Sequence, residues 1–135
     1  MSQLIQRFDP AREYYFEEGC FINEISNSEH DPAVSIAQAR VAPGKTTRWH
    51  RLHNTTERYV IVSGTGSVEV GDLAAQTVHA GDCVIIPPLV QQRITNIGND
   101  DLVFLAICSP RFHVTNYEDM ETSDRMSAAG EDGGD

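Results

Sequence analysis

The sequence predicts an all-β domain, a sandwich or barrel of short strands, on three observations. Runs of about 5 alternating or β-branched residues recur at spacings of about 8–12 residues. Turn-forming groups rich in Gly, Pro, Asn and Asp separate them. No apolar stripe at helical spacing persists, and the nearest approach is a weak turn over residues 9–14.

In chain order, YYFEE and CFINEIS read as the first strands, followed by the polar loop Asn27-Ser28-Glu29-His30-Asp31-Pro32. VSIAQARVA is a strand ending at Pro43-Gly44. RYVIVS stops at Gly64-Thr65-Gly66, SVEV at Gly71-Asp72 and QTVHA at Gly81-Asp82. CVII ends at Pro87-Pro88, QRITN at Gly98-Asn99-Asp100 and LVFLAIC at Ser109-Pro110. Residues 1–26 are expected to supply N-terminal strands packing on the barrel or on a partner. Residues 27–117 form the barrel, and 118–135 an acidic, disordered tail with little to bury.

At 135 residues the chain suits one domain. No run approaches the roughly 18 apolar residues that span a bilayer, and the N-terminus lacks the basic-then-apolar order of a secretory signal. A cytoplasmic protein is the expectation. The formal charge of −10 argues against a nucleic-acid partner. Seven acids and one base fall within residues 118–135, so more than half of that charge sits in the tail. Cys20, Cys83 and Cys108 are odd in number and widely spaced, which disfavours both a disulfide framework and a zinc ribbon. Each is expected to be a small buried hydrophobe, with Cys20 and Cys108 able to approach across the barrel.

Two spacing patterns carry chemistry. Gly44, five residues, His50, then Glu57, six residues and Gly64 form the first. Gly81, five residues, Pro87 and later Asn96 form the second. Together they resemble the cupin superfamily motifs G-x5-H-x-H-x3,4-E-x6-G and G-x5-P-x-G-x2-H-x3-N. The flanking phrases EEGCFI, TTRWHRL, TERYVI and FLAICSPRF are similar to those of small single-domain bacterial cupins. The resemblance implies a double-stranded β-helix, the jelly-roll barrel of that superfamily, and a small-molecule pocket inside it. Metal-binding cupins hold one divalent ion with three histidines and a glutamate. His50 matches the first histidine and Glu57 the carboxylate, whereas Leu52 and Gln92 occupy the other two positions and Leu89 the second glycine's place.

Three arrangements remain open. His50, His53, Glu57 and Gln92 form a rearranged metal set if the backbone bulges at Leu52-His53 and swings His53 inward. His50, Glu57 and Gln92 hold an ion with waters completing its shell. In the third, the pocket is metal-free, with His50 and Glu57 hydrogen-bonded to each other and to a ligand.

Strand parity puts Arg48, His50 and Leu52 on one face, Glu57, Tyr59 and Ile61 on another, and Gln92, Ile94 and Asn96 on a third. With those faces assigned as in the cupins that the motifs resemble, Glu57 and Tyr59 are the candidate catalytic residues, moving protons, and Arg48, Tyr59 and Gln92 the candidate substrate contacts. His30, His79 and His113 read as surface residues. One functional expectation is a metal-assisted isomerase, lyase or oxygenase acting on a small polar substrate. The alternative is a metal-independent binding or sensing module. A homodimer is expected, the segment 13–25 completing a neighbour's sheet.

Overall fold

The chain is described by a computed structural model covering residues 4–17 and 19–121. Its strands are β1 (Tyr14–Phe16), β2 (Cys20–Ser26), β3 (Ser35–Val41), β4 (His50–Leu52) and β5 (Thr56–Ser63), then β6 (Thr65–Val70), β7 (Gln76–His79), β8 (Cys83–Ile86), β9 (Gln92–Asn96), β10 (Leu102–Ser109) and β11 (Tyr117–Asp119). They form a six-stranded sheet, β1-β2-β3-β10-β5-β8, and a five-stranded sheet, β11-β4-β9-β6-β7. Every ladder is antiparallel. From β3 onward the chain crosses between sheets at nearly every step, the winding of a double-stranded β-helix. The all-β expectation holds, and the only helical turn in the predicted region is the 3-10 turn Pro10–Arg12.

Period-two alternation sets the inner faces. Tyr59 and Ile61 on β5, Ile94 on β9, and Leu102 and Phe104 on β10 are buried, while their sequence neighbours face outward. They join Ala39, Val41, Val68 and Ile86 in one core between the sheets. Tyr59 packs against Phe104 at 4.3 Å between ring centroids, an aromatic contact that adds to the area both rings bury.

The motif positions outside the pocket have structural work. Gly64 turns β5 into β6 at φ +90, and a Cβ there would lie 2.8 Å from the Asp101 carbonyl oxygen. Only glycine fits both constraints. Asn96 donates through Nδ2 to the carbonyls of Val41 and Asp100, and accepts at Oδ1 from the Gly98 amide. It ties the β9–β10 turn to β3. Leu89, standing where the motif has glycine, keeps a left-handed backbone at φ +69. Its amide donates to the Leu52 carbonyl at 2.8 Å, which offsets part of a conformational cost on the order of 1–3 kcal/mol.

The C-terminal boundary differs from expectation. Residues 118–121 are part of the fold, because β11 pairs with β4 in the register Tyr117↔Leu52, Glu118↔Arg51 and Asp119↔His50. Charge explains it: Glu118 meets Arg51 at 2.7 Å and Asp119 meets Arg48 at 2.8 Å, while Glu121 accepts from the Trp49 amide at 2.6 Å. The tail expected beyond these residues lies outside the described part of the chain.

The cysteines also differ from expectation. Cys20 and Cys108 are buried but Cys83 is exposed, facing out from the edge strand β8, and all three are free thiols. Cys20 and Cys108 do not approach one another. Cys108 pairs with Ser35 at one end of β3, and Phe21, next to Cys20, pairs with Arg40 at the other. The intervening strand holds them apart by roughly 20 Å.

Candidate functional site

His50 and Leu52 point inward from β4, Glu57 and Tyr59 from β5, and Gln92 from β9. His50 and Gln92 face each other directly across the β4–β9 ladder. Three of the predicted polar residues therefore meet in the barrel. Gln92 Nε2 lies 3.0 Å from His50 Nε2 and 2.7 Å from Glu57 Oε1.

Proton positions follow from the acceptors. His50 Nδ1 sits 2.7 Å from the Arg48 carbonyl oxygen. A carbonyl only accepts, so Nδ1 carries a proton, and with the Gln92 amide nitrogen facing it Nε2 accepts through its lone pair. The Gln92 amide must then offer hydrogens both to that lone pair and to Glu57. On the other side of the carboxylate, Cys108 Sγ lies 3.8 Å from Glu57 Oε2 and donates weakly to it. Burial first, and the Glu57 charge second, push the Cys108 thiol well above the ordinary thiol range. Cys108 is thus a protonated donor to the Glu57 carboxylate. The ring of Tyr117 stacks on His50 at 5.1 Å and closes that side of the site.

Two sequence-predicted residues are elsewhere. His53 stays on the outer face, 43% exposed, and Nε2 donates to Glu118 Oε1 at 2.8 Å. The bulge that would have swung it inward does not form. The β4 pleat runs regularly through Leu52, the turn falls two residues later at Asn54 with φ +64, and the His53 amide is fixed by the Asn116 carbonyl. Both His53 and Arg51 hold the Glu118 carboxyl below its usual range, Arg51 more strongly. Arg48 is likewise turned away, toward Asp119. Residues 47–49 precede the β4 ladder, and Thr47 takes the buried place instead, so strand parity does not extend back to Arg48. His30, His79 and His113 are exposed as expected, His79 at the end of β7 and not in a loop.

This donor set does not fit the resident metal that the motif resemblance implies. Leu52 fills one ligand place, and His53 is outside. At the remaining place an amide nitrogen sits between His50 and Glu57, where an ion shared by the two would lie about 2.0–2.2 Å from each. Among the described residues no three His, Cys, Asp or Glu side chains are grouped for a metal. A strained note remains: Gln92 Oε1 is buried with no hydrogen-bond partner.

The open space lies beside this network, along the inner face of the six-stranded sheet. It is a small pocket of about 60 Å³ that opens to solvent, with Glu57, Tyr59, Cys108 and Ser35 toward the interior and Tyr14, Glu24 and Asn27 also on its wall. Small residues at 37, 39 and 106 on β3 and β10 leave the room. Sequence reasoning found Glu57 and Tyr59 but missed Cys108, Phe104 and the β1–β2 wall. The signal for Cys108 was present, since it shares a strand face with Phe104 and Ala106 in LVFLAIC.

A family model described as "Cupin domain" matches residues 37–108. An uncharacterised protein of Methanocaldococcus jannaschii is 31% identical over 123 residues, covering 90% of this chain and 95% of that protein. Among solved structures, a predicted oxalate decarboxylase from Thermotoga maritima is 26% identical with a TM-score of 0.62, over 67% of this chain and 80% of that one. The nucleoside dehydratase Pac13, from Streptomyces, is 15% identical with a TM-score of 0.68, over 84% of this chain and 88% of that one. The second likeness is one of fold. No described helix is long and apolar enough to cross a membrane.

Proposed function

This chain belongs to the cupin family, and on that premise we propose that it is a metal-independent small-molecule protein whose ligand occupies the pocket beside Glu57. One observation carries the reading: the Gln92 amide nitrogen stands between His50 Nε2 and Glu57 Oε1. Hydrogen bonds thereby do the joining that a metal does elsewhere in the family pattern.

In this reading Glu57 is the polar anchor of the pocket and the group that accepts a proton or hydrogen bond from the ligand. Gln92 and Cys108 position its carboxylate from two sides. Tyr59 contacts the ligand through its ring, and His50 acts through Gln92, its tautomer held by the Arg48 carbonyl. Gln92 touches the network and not the ligand.

The reading is tested on protein purified without a histidine tag. Elemental analysis is expected to find metal well below one equivalent, and the melting temperature should be the same in EDTA as with added manganese, zinc or nickel. A stoichiometric metal that is lost in His50→Ala would overturn it. That result would favour the arrangement in which the Gln92 amide is rotated and its unpartnered Oε1 becomes a ligand.

A second copy of the chain completes the proposal. β1 is an open edge of the six-stranded sheet, with Tyr15 64% exposed on its outer face. On the reverse face of the same sheet Val62 and Ile85 are exposed. Unpaired strand edges and apolar faces of this kind are commonly covered by association. Light scattering at about 50 μM, a concentration at which dimers with dissociation constants of order 1 μM are largely formed, is expected to give twice the chain mass. A monomer mass removes the dimer.

A further inference from the structure

We infer that the pocket takes a small organic cation, a protonated amine carrying an apolar body, and discriminates against carboxylates and phosphates. The inference rests on the reading above that this pocket is the ligand site, and adds the chemical class of the ligand.

Charge is the first argument. Glu57 and Glu24 are the charged side chains among the described residues lining the pocket, and both are acidic. No Lys, Arg or His among the described residues lines it. Glu57 stands in the interior, 8% exposed. Glu24 is held by the Tyr14 hydroxyl at 3.2 Å and by the Asn27 amide at 2.8 Å, which fixes its carboxylate along the entry. An anion would meet two carboxylates, and at the interior one, away from water, repulsion is stronger than in solvent. Among the arginines around the pocket, Arg111 donates to the Asn27 side chain on the wall at 2.9 Å. Arg48 is engaged by Asp119, Arg51 by Glu118, and Arg58 donates to the Ser109 hydroxyl.

The walls are the second, independent argument. Tyr14, Phe16, Tyr59, Phe104 and Phe112 surround the cavity. Aromatic faces attract a cation through their quadrupole and also bury an apolar group. A neutral apolar molecule satisfies the walls but leaves the Glu57 carboxylate desolvated on binding. An inorganic cation satisfies the carboxylates but not the walls. An alkyl or aryl ammonium satisfies both, with its N–H donated to Glu57 and its body against the rings.

The probes are benzylamine, benzyl alcohol and benzoate, which share one ring and differ in charge, titrated calorimetrically into the full chain at neutral pH and low salt. Benzylamine is expected to bind at least tenfold more tightly than benzyl alcohol, with benzoate weakest. In Glu57→Gln the preference for the amine over the alcohol should fall at least tenfold while the alcohol still binds. Glu24→Gln, at the half-buried entry, should reduce the same preference by a smaller factor, and serves if the interior variant does not fold. Equal binding of amine and alcohol, tighter binding of benzoate, or an amine preference unchanged in both variants overturns the cation inference while leaving the pocket reading intact. Failure of all three probes to bind overturns both.

Discussion

A chain carrying both Leu52→His and Gln92→His is expected to bind one divalent cation per subunit and to be stabilised by about 4 kcal/mol at metal about a thousandfold above its dissociation constant. The backbone already supplies the geometry. His50 and Leu52 share the inner face of β4, and Gln92 faces His50 across the ladder. His50 Nε2 is held as a lone pair by its Nδ1 bond to Arg48, the outer-sphere arrangement that orients a ligating imidazole. A histidine at 92 replaces the amide that separates His50 from Glu57, and a histidine at 52 replaces an apolar side chain. Three imidazoles and a carboxylate suit a first-row divalent ion. The check is the melting temperature of the double variant with manganese, zinc or nickel against EDTA. An identical melt in both would mean that more than two side chains separate this pocket from a metal site.

Phe104→Ala is expected to cost about 3–5 kcal/mol of stability, a fall in melting temperature on the order of 10–20 °C for a domain of this size. Phe104 is fully buried at the centre of the six-stranded sheet, between Ala39 on β3 and Ile61 on β5. Its ring holds Tyr59 in place beside the pocket. Truncation leaves a cavity continuous with that pocket, and the surrounding strands, paired on both sides, have little freedom to close it. Leu73→Ala, 71% exposed in the turn after β6, is the control and should change stability by no more than about 0.5 kcal/mol. Urea denaturation of both variants measures the difference. A loss below about 1 kcal/mol for Phe104→Ala would show that the pocket wall is not the core of the fold.

Much of the fold was legible because β-structure writes itself in local chemistry. Glycines 64 and 81 and the Pro87-Pro88 step mark chain reversals, and alternation within RYVIVS and QRITN assigns inner and outer faces without knowledge of the partner strand. Parity, with the faces assigned as the cupin resemblance implies, was enough to converge His50, Glu57, Tyr59 and Gln92. It failed at Arg48, because three residues of irregular backbone separate it from the ladder. At His53 the simple pleat held and the proposed bulge did not, because Glu118 and the Asn116 carbonyl secure the outward conformation. Neither partner is near His53 in sequence.

The sequence by itself determined the succession of short strands, which residues share a face within each, and the loss of two of the four metal-ligand histidine and glutamate positions, since each depends on residue identity, spacing and a period of two. Tertiary structure alone decided how the remaining donors face one another. A Gln92 amide between His50 and Glu57, a Cys108 thiol behind that carboxylate and an acidic strand drawing His53 and Arg48 outward are contacts between segments tens of residues apart. Hydrogen-bond direction and charge pairing act over a few ångströms, so they become defined only once the two sheets have brought those segments together.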